Sequence, residues 1–240
     1  LVSQGEIKGK LGEITVIHSL GKLPADRVVV VGLGKLPDLT LTRVRRVVAE
    51  TCRLLRQKEV ADIAIVALES GIDGIGPEGS AQAITEGALL GLYSFRKHKT
   101  EDAEHGEIKR LLIVSDDKAG LSLMERGIDR GRVLAEATNR ARDMANEPAN
   151  YMTPTHMADA AAGIAGKYGL EINILDWEQM QEQGMGALIG VAQGSKQPPK
   201  FIVLTYHGLD SPEIELALIG KAITFDSGGI SIKPPRKWKK

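Results

Sequence analysis

The sequence has one cysteine, no long hydrophobic run and no excess of charge of either sign. Cys52 is alone among 240 residues, so no disulfide can form within the chain and a thiolate-rich zinc site is excluded. The 31 basic and 31 acidic residues cancel, which gives no support for nucleic-acid binding through a dominant basic field. Apolar runs such as 27–34 are far too short to span a bilayer. We therefore expect a soluble, cytoplasmic protein of a reducing compartment that does not associate with membranes.

Short apolar runs alternate with amphipathic helical patterns along the first half of the chain. The runs are rich in Val and Ile and are predicted to be strands at 13–20, 27–34, 61–68 and 108–116. The segments between them are predicted to be helices, at 39–59 and 79–95. The first of these has one apolar stripe, formed by Leu41, Val44, Val48, Cys52 and Leu55. This alternation predicts an α/β fold with a mixed or largely parallel sheet covered by helices.

A long helical pattern and two prolines divide the sequence. Residues 121–145 are predicted to form a helix, and Pro148 and Pro154 interrupt the pattern after it. A second α/β segment follows, with a helix capped by Thr155 and a last apolar strand over 213–226. We predict an N-terminal domain at 1–120, a linking helix at 121–145 and a second domain at 146–240.

Two glycine motifs have simple structural interpretations. The segment VVGLGKLP has Gly32 and Gly34 after a strand, but Pro37 stands where a dinucleotide-binding loop has its third glycine, which favours a tight turn. The segment DSGG at 226–229 also occurs around the nucleophile of chymotrypsin-like proteases, but those are disulfide-bonded all-β proteins. The five histidines show no metal-ligand spacing, which favours surface or capping roles.

Three charged residues near the end of the chain, Lys221, Asp226 and Lys233, suggest a metal site. Lys221 lies within the apolar run LALIGKAITF, where a charged ammonium is costly to bury. A nearby dication would repel the proton and accept the amine lone pair. Asp226 follows where the predicted strand ends, and two glycines after it permit close approach of the backbone to a bound group. The alternative is a solvated lysine and aspartate without function, and the burial of Lys221 favours the metal site.

The same segment resembles the first metal-site motif of the cytosol (leucyl) aminopeptidases. The resemblance is carried by GKAITFDSGGISIKP at 220–234 and RDMANEPANYMTPTHMA at 142–158, with further matches in the first half of the chain. It implies a macrodomain-like N-terminal domain with a central sheet, a linking helix and the start of an α/β metallo-aminopeptidase catalytic domain.

The resemblance also implies an activity and roles for the three residues. It implies two divalent metal ions, zinc or manganese with magnesium as a further option, bound by Lys221 and Asp226. Lys233 would polarise the scissile carbonyl and stabilise the oxyanion. The substrates would be peptides with a free N-terminus, and the protein would assemble as a homo-oligomer, a hexamer in the family.

The sequence departs from the family after residue 235. The chain ends in RKWKK, and the family's DAEGR segment, which supplies further carboxylate ligands, does not occur. A dinuclear site needs about five protein ligands, so we expect the 240 residues alone to have little or no activity. The alternative is a non-catalytic module for assembly or for binding nucleotide or nucleic acid, and the zero net charge does not support nucleic acid.

Overall fold

The computed structural model describes residues 3–68, 75–100, 106–208 and 216–225. The chain divides into two compact units, Leu1–Asp143 and Met144–Lys240. In the first half the elements are β1 (Ile14–His18), β2 (Arg27–Val31), α1 (Leu41–Gln57), β3 (Asp62–Val66), α2 (Pro77–Gly91), β4 (Arg110–Val114) and α3 (Leu121–Asn146). They are followed by α4 (Pro154–Tyr168), β5 (Glu171–Leu175), α5 (Trp177–Glu182), α6 (Gly186–Ala192) and β6 (Phe201–Thr205).

Strands and helices alternate as the sequence predicts, and the α/β class is confirmed. In the described ranges the strands pair two by two. β1 and β2 are antiparallel, β3 and β4 are parallel, and β5 and β6 are antiparallel. Among the described strands, β3 and β4 are the only parallel pair, and α2 forms the crossover that a parallel connection requires.

The core of the first unit lies between helices α1 and α2 and one face of the β3–β4 pair. Its buried side chains come from the two helices and are Val44, Val48, Cys52, Ala83, Ile84 and Ala88. Ile63, Ile65, Leu111 and Ile113 pack against them from the strands. The apolar stripe predicted for α1 is thus the surface that this helix buries, and the alternation along β3 and β4 selects the face that receives it.

Helices α1 and α2 are in backbone contact because α2 has glycine where they meet. A Cβ added at Gly87 would lie 2.5 Å from the carbonyl oxygen of Arg45, and one at Gly91 would lie 2.6 Å from Cα of Ala49. Real Cβ atoms do not approach so closely. Any larger residue at either position would push the helices apart, so these glycines set the separation of α1 and α2.

Helix α3 packs on the opposite side of α2 in the same way. A Cβ at Gly127 would lie 2.2 Å from the carbonyl oxygen of Glu78. Farther along, Asn139 Nδ2 donates to the carbonyl of Leu89 and Arg142 Nη1 donates to the carbonyl of Leu90, both at 3.1 Å. These bonds satisfy carbonyls at the end of α2 that have no partner within the helix.

The tight turn predicted for the GLG segment after β2 is not found: residues 32–35 have neither turn nor helical conformation and lie against the N-terminal loop. A Cβ at Gly32 would lie 2.0 Å from the carbonyl oxygen of Lys10, and Gly34 has a φ of +79°. The Gly32 amide also donates to the carbonyl of Glu13 at 2.8 Å. The motif therefore has a packing role, since both glycines are needed for backbone geometry.

The second unit has α4 packed on the β5–β6 pair. Ala158, Ala161 and Ala165 are the buried residues of α4. The N-cap of this helix is Thr153, whose Oγ1 accepts from the amide of His156, and Pro154 is in its first turn. The prediction of Thr155 as the cap is wrong by two residues, because proline is favoured at the first helical position and the cap must precede it.

A glycine-to-alanine pair tests the close helix contact. We expect Gly87→Ala to destabilise the protein by about 1–3 kcal/mol, because the added methyl group meets the Arg45 carbonyl. The control is Gly163→Ala in α4, where nothing lies within 4 Å and alanine should stabilise the helix by up to about 1 kcal/mol. Urea unfolding followed by far-UV circular dichroism measures both. A stabilising Gly87→Ala would show that the helices are farther apart than described.

The buried thiol of Cys52 predicts a specific dependence of stability on pH. Burial raises its pKa from 9.0 to about 11, and the nearby Arg53 opposes this in part. The native state therefore keeps its proton where the unfolded chain loses it, and stability falls as the pH rises through this window. We expect wild type to lose about 1 kcal/mol more than Cys52→Ala between about pH 8 and about pH 10. Parallel pH curves for the two proteins, measured by urea unfolding, would contradict this.

Candidate metal site

The segment of the predicted metal site follows the β5–β6 pair in the chain. Residues 216–225 have neither helical nor strand conformation. Their large apolar side chains are exposed, with Leu218 at 89% and Ile219 at 97%. The prediction of a buried strand over 213–226 is therefore wrong for 216–225. A strand needs a hydrogen-bonded neighbour, and in the described part of the second unit β5 and β6 pair only with each other.

Lys221 is exposed in this irregular segment. Its backbone carbonyl accepts a hydrogen bond from the amide of Ile223 at 3.1 Å. The expected burial of the amine within an apolar strand is not found, so the physical argument from the cost of burying a charge does not apply here. Asp226 and Lys233 lie outside the described residues. The structure thus describes one of the three predicted site residues, and its roles and theirs stay predictions.

No other part of the described chain offers a ready metal site. The described residues contain no group of three or more His, Cys, Asp or Glu side chains arranged to hold a metal ion. Two of the histidines have structural partners. His156 Nδ1 lies 2.8 Å from Thr153 Oγ1 at the start of α4, and His207 Nε2 lies 2.9 Å from the Glu171 carboxylate. A third, His98, lies against the ring of Phe95 with 5.9 Å between the ring centres.

The sequence patterns did not predict one pocket that is lined by basic side chains. His18, Arg27 and Lys58 line a common pocket in the first unit, although they are widely separated along the chain. The antiparallel register of β1 and β2 sets His18 opposite Arg27. The alternation along each strand shows which side chains share a face of that strand. It does not show that His18 lies opposite Arg27 unless the register of the two strands is known, and that register depends on the turn between them.

Comparison with known families assigns both halves of the chain to the same group of peptidases. Residues 1–102 match the profile of the cytosol aminopeptidase family, N-terminal domain, and residues 139–240 match that of the cytosol aminopeptidase family, catalytic domain. The second match contains the Lys221–Asp226 motif.

Curated relatives lead to the same assignment. A protein of Alkaliphilus oremlandii named probable cytosol aminopeptidase is 43% identical over 237 residues, which is 98% of this chain and 47% of the relative. A protein of Pseudomonas aeruginosa named cytosol aminopeptidase is 35% identical over 235 residues, with the same coverage. The chain belongs to the cytosol aminopeptidase family, which confirms the resemblance. It spans about half the length of the curated relatives it matches.

Two solved structures show the same fold. The bottromycin maturation enzyme BotP in complex with Mn has a TM-score of 0.80 at 29% identity, covering 98% of this chain and 47% of that one. A mutant of tomato leucine aminopeptidase has a TM-score of 0.79 at 28% identity, covering 94% and 44%. In the described residues of our chain, no helix is both long enough and apolar enough to cross a bilayer.

Proposed function

We propose that the protein acts as a metal-dependent leucyl aminopeptidase that removes N-terminal residues from peptides with two divalent metal ions. The observation that carries this proposal is GKAITFDSGGISIKP at 220–234, which lies within the catalytic-domain match at 139–240. The solved relatives support it, since one is a leucine aminopeptidase and another binds Mn. Zinc and manganese are the metals we propose, with magnesium as a further option.

The proposal also includes a domain organisation, an oligomeric state and a cellular compartment. A macrodomain-like domain at 1–120 is followed by a linking helix at 121–145 and the opening part of the catalytic domain at 146–240. We propose a cytoplasmic homo-oligomer, a hexamer, that acts on peptides with a free N-terminus. The relatives' name, cytosol aminopeptidase, supports the compartment.

The donor types fit a divalent metal, although they do not complete a site. Lys221 would donate through a neutral amine and Asp226 through its carboxylate, and nitrogen and oxygen ligands suit Zn and Mn. Lys221 is exposed, so burial does not supply the neutral amine, and the bound metal ion would have to displace its proton. Lys233 would remain charged and stabilise negative charge on the substrate carbonyl oxygen. When bound, the two metal ions would polarise that carbonyl and activate the attacking water.

Two ligands are too few for a dinuclear site, which leads to a prediction for the 240-residue chain. We expect little or no hydrolysis of leucine p-nitroanilide when the purified chain is supplied with Mn²⁺ or Zn²⁺, because about five protein ligands are needed. Turnover of the substrate is measured by absorbance of the released p-nitroaniline. Robust turnover that depends on Lys221 and Asp226 would overturn this prediction.

A chimera tests the function and the residue roles directly. Residues 1–235 are joined to the remaining C-terminal half of the Alkaliphilus oremlandii relative, which is 43% identical over the shared half. We expect metal-dependent aminopeptidase activity that Lys221→Met or Asp226→Asn reduces by at least about a hundredfold, because each removes a metal ligand. Lys233→Met should lower kcat, since its charge acts on the developing oxyanion.

The matched control is Lys196→Met, which removes an exposed lysine in the same unit. It should leave the activity of the chimera unchanged. A folded chimera that hydrolyses no aminoacyl p-nitroanilide with any of the three metals would contradict the proposed function. Full activity in the Lys221→Met and Asp226→Asn variants would contradict the assigned ligands while leaving the function in place.

A further inference from the structure

An open pocket of about 320 Å³ lies in the first unit, between the β1–β2 pair and the C-terminal end of α1. It is lined by Val16, His18, Arg27 and Lys58. Three of these four residues have nitrogen donors that carry or can carry positive charge, and no carboxylate is among them. The whole chain has a formal net charge of zero, so this concentration of donors is a local departure from its composition.

The arrangement of the three donors follows from the backbone. His18 and Arg27 are direct partners in the antiparallel register of β1 and β2, so their side chains share one face of the pair. Arg27 Nη1 donates to the carbonyl oxygen of Lys58 at 3.2 Å, which joins the strand to the end of α1. This bond fixes the guanidinium and neutralises a carbonyl that would otherwise repel an anion.

Stabilisation of the helix end accounts for Arg27 but not for the other two residues. The side chains of His18 and Lys58 make no hydrogen bond or ion pair with any described residue. His18, Arg27 and Lys58 are all exposed, so water solvates their side chains and their donors remain open to an anion. Three donors at one pocket, two of them without a protein acceptor, form a surface that an anion can occupy.

The chemistry of the donors defines the ligand. Arg27 has several N–H groups beyond the one bound to Lys58, and the ammonium and imidazole add donors without adding a competing acidic group. Several donors around one small volume match an anion with several oxygens, and Val16 adds an apolar wall. The volume lies at the lower end of the range for small-molecule sites. We propose that this pocket binds the phosphate group of a small phosphorylated molecule, independently of the peptidase function.

The test is a titration of the 240-residue chain with inorganic phosphate at constant ionic strength, with chloride as the balancing anion. The ring signals of the five histidines are followed by NMR, and His18→Gln identifies the signal of His18. We expect a saturable shift of the His18 signal with phosphate. Lys58→Gln should weaken the apparent affinity about fivefold or more, because it removes one charge-assisted contact. That variant keeps the backbone carbonyl that Arg27 contacts, so the helix end stays capped.

Lys118→Gln is the matched control, since it removes the same charge from an exposed residue outside the pocket. It should leave the affinity for phosphate unchanged. A shift that does not saturate, an equal response to chloride, or equal weakening by Lys58→Gln and Lys118→Gln would overturn the proposal. None of these measurements involves peptide hydrolysis, so their outcome is separate from that of the aminopeptidase assays.

Discussion

The backbone contact between α1 and α2 is the constraint on which the first unit depends. Gly87 and Gly91 let α2 approach the backbone of α1 near Arg45 and Ala49. This separation is small enough for short side chains such as Ala83 and Ala88 to fill the core with the larger Val48 and Ile84. The β3–β4 pair then covers the same core from the other side. Close packing rather than bulky side chains holds this unit together, since only three phenylalanines and two tryptophans occur in the chain.

Several arginine side chains around this core stabilise helix ends, whereas two other basic residues, His18 and Lys58, do not. Arg56 Nη1 donates to the carbonyl of Leu92 at 2.8 Å, and Arg142 donates to the carbonyl of Leu90, so both stabilise the end of α2. Arg27 does the same at the end of α1. Cations at helix C-termini are favourable because of the helix dipole. His18 and Lys58 lie beside one of these helix ends without such a task, which is why their position there suggests a ligand.

The metal-site motif could be recognised from its residues, but the conformation and burial of its segment could not be predicted from them. The segment 220–234 resembles the family's motif in its residue order, and it lies within the catalytic-domain match at 139–240. The burial of the amine, by contrast, requires a strand with neighbours, and residues 216–225 have none in the described part of the second unit. The resemblance was sound because it depends on residue order, and the argument from burial failed because it depends on pairing.

The sequence by itself determined the alternation of strands and helices, the apolar stripe of α1 and the family. Each of these features follows from residues that are close together in the sequence, through their periodicity, their turn-forming residues or a contiguous motif. The start of α4 also follows from the sequence, since Thr153 is a good N-cap residue and Pro154 suits the first turn, although the predicted cap, Thr155, lies two residues later. Only the tertiary structure decided which strands pair, that Gly87 and Gly127 are contact points, and that His18 and Lys58 line one pocket. Those features join residues far apart in the chain, and the free energy of such contacts depends on packing that no local pattern contains.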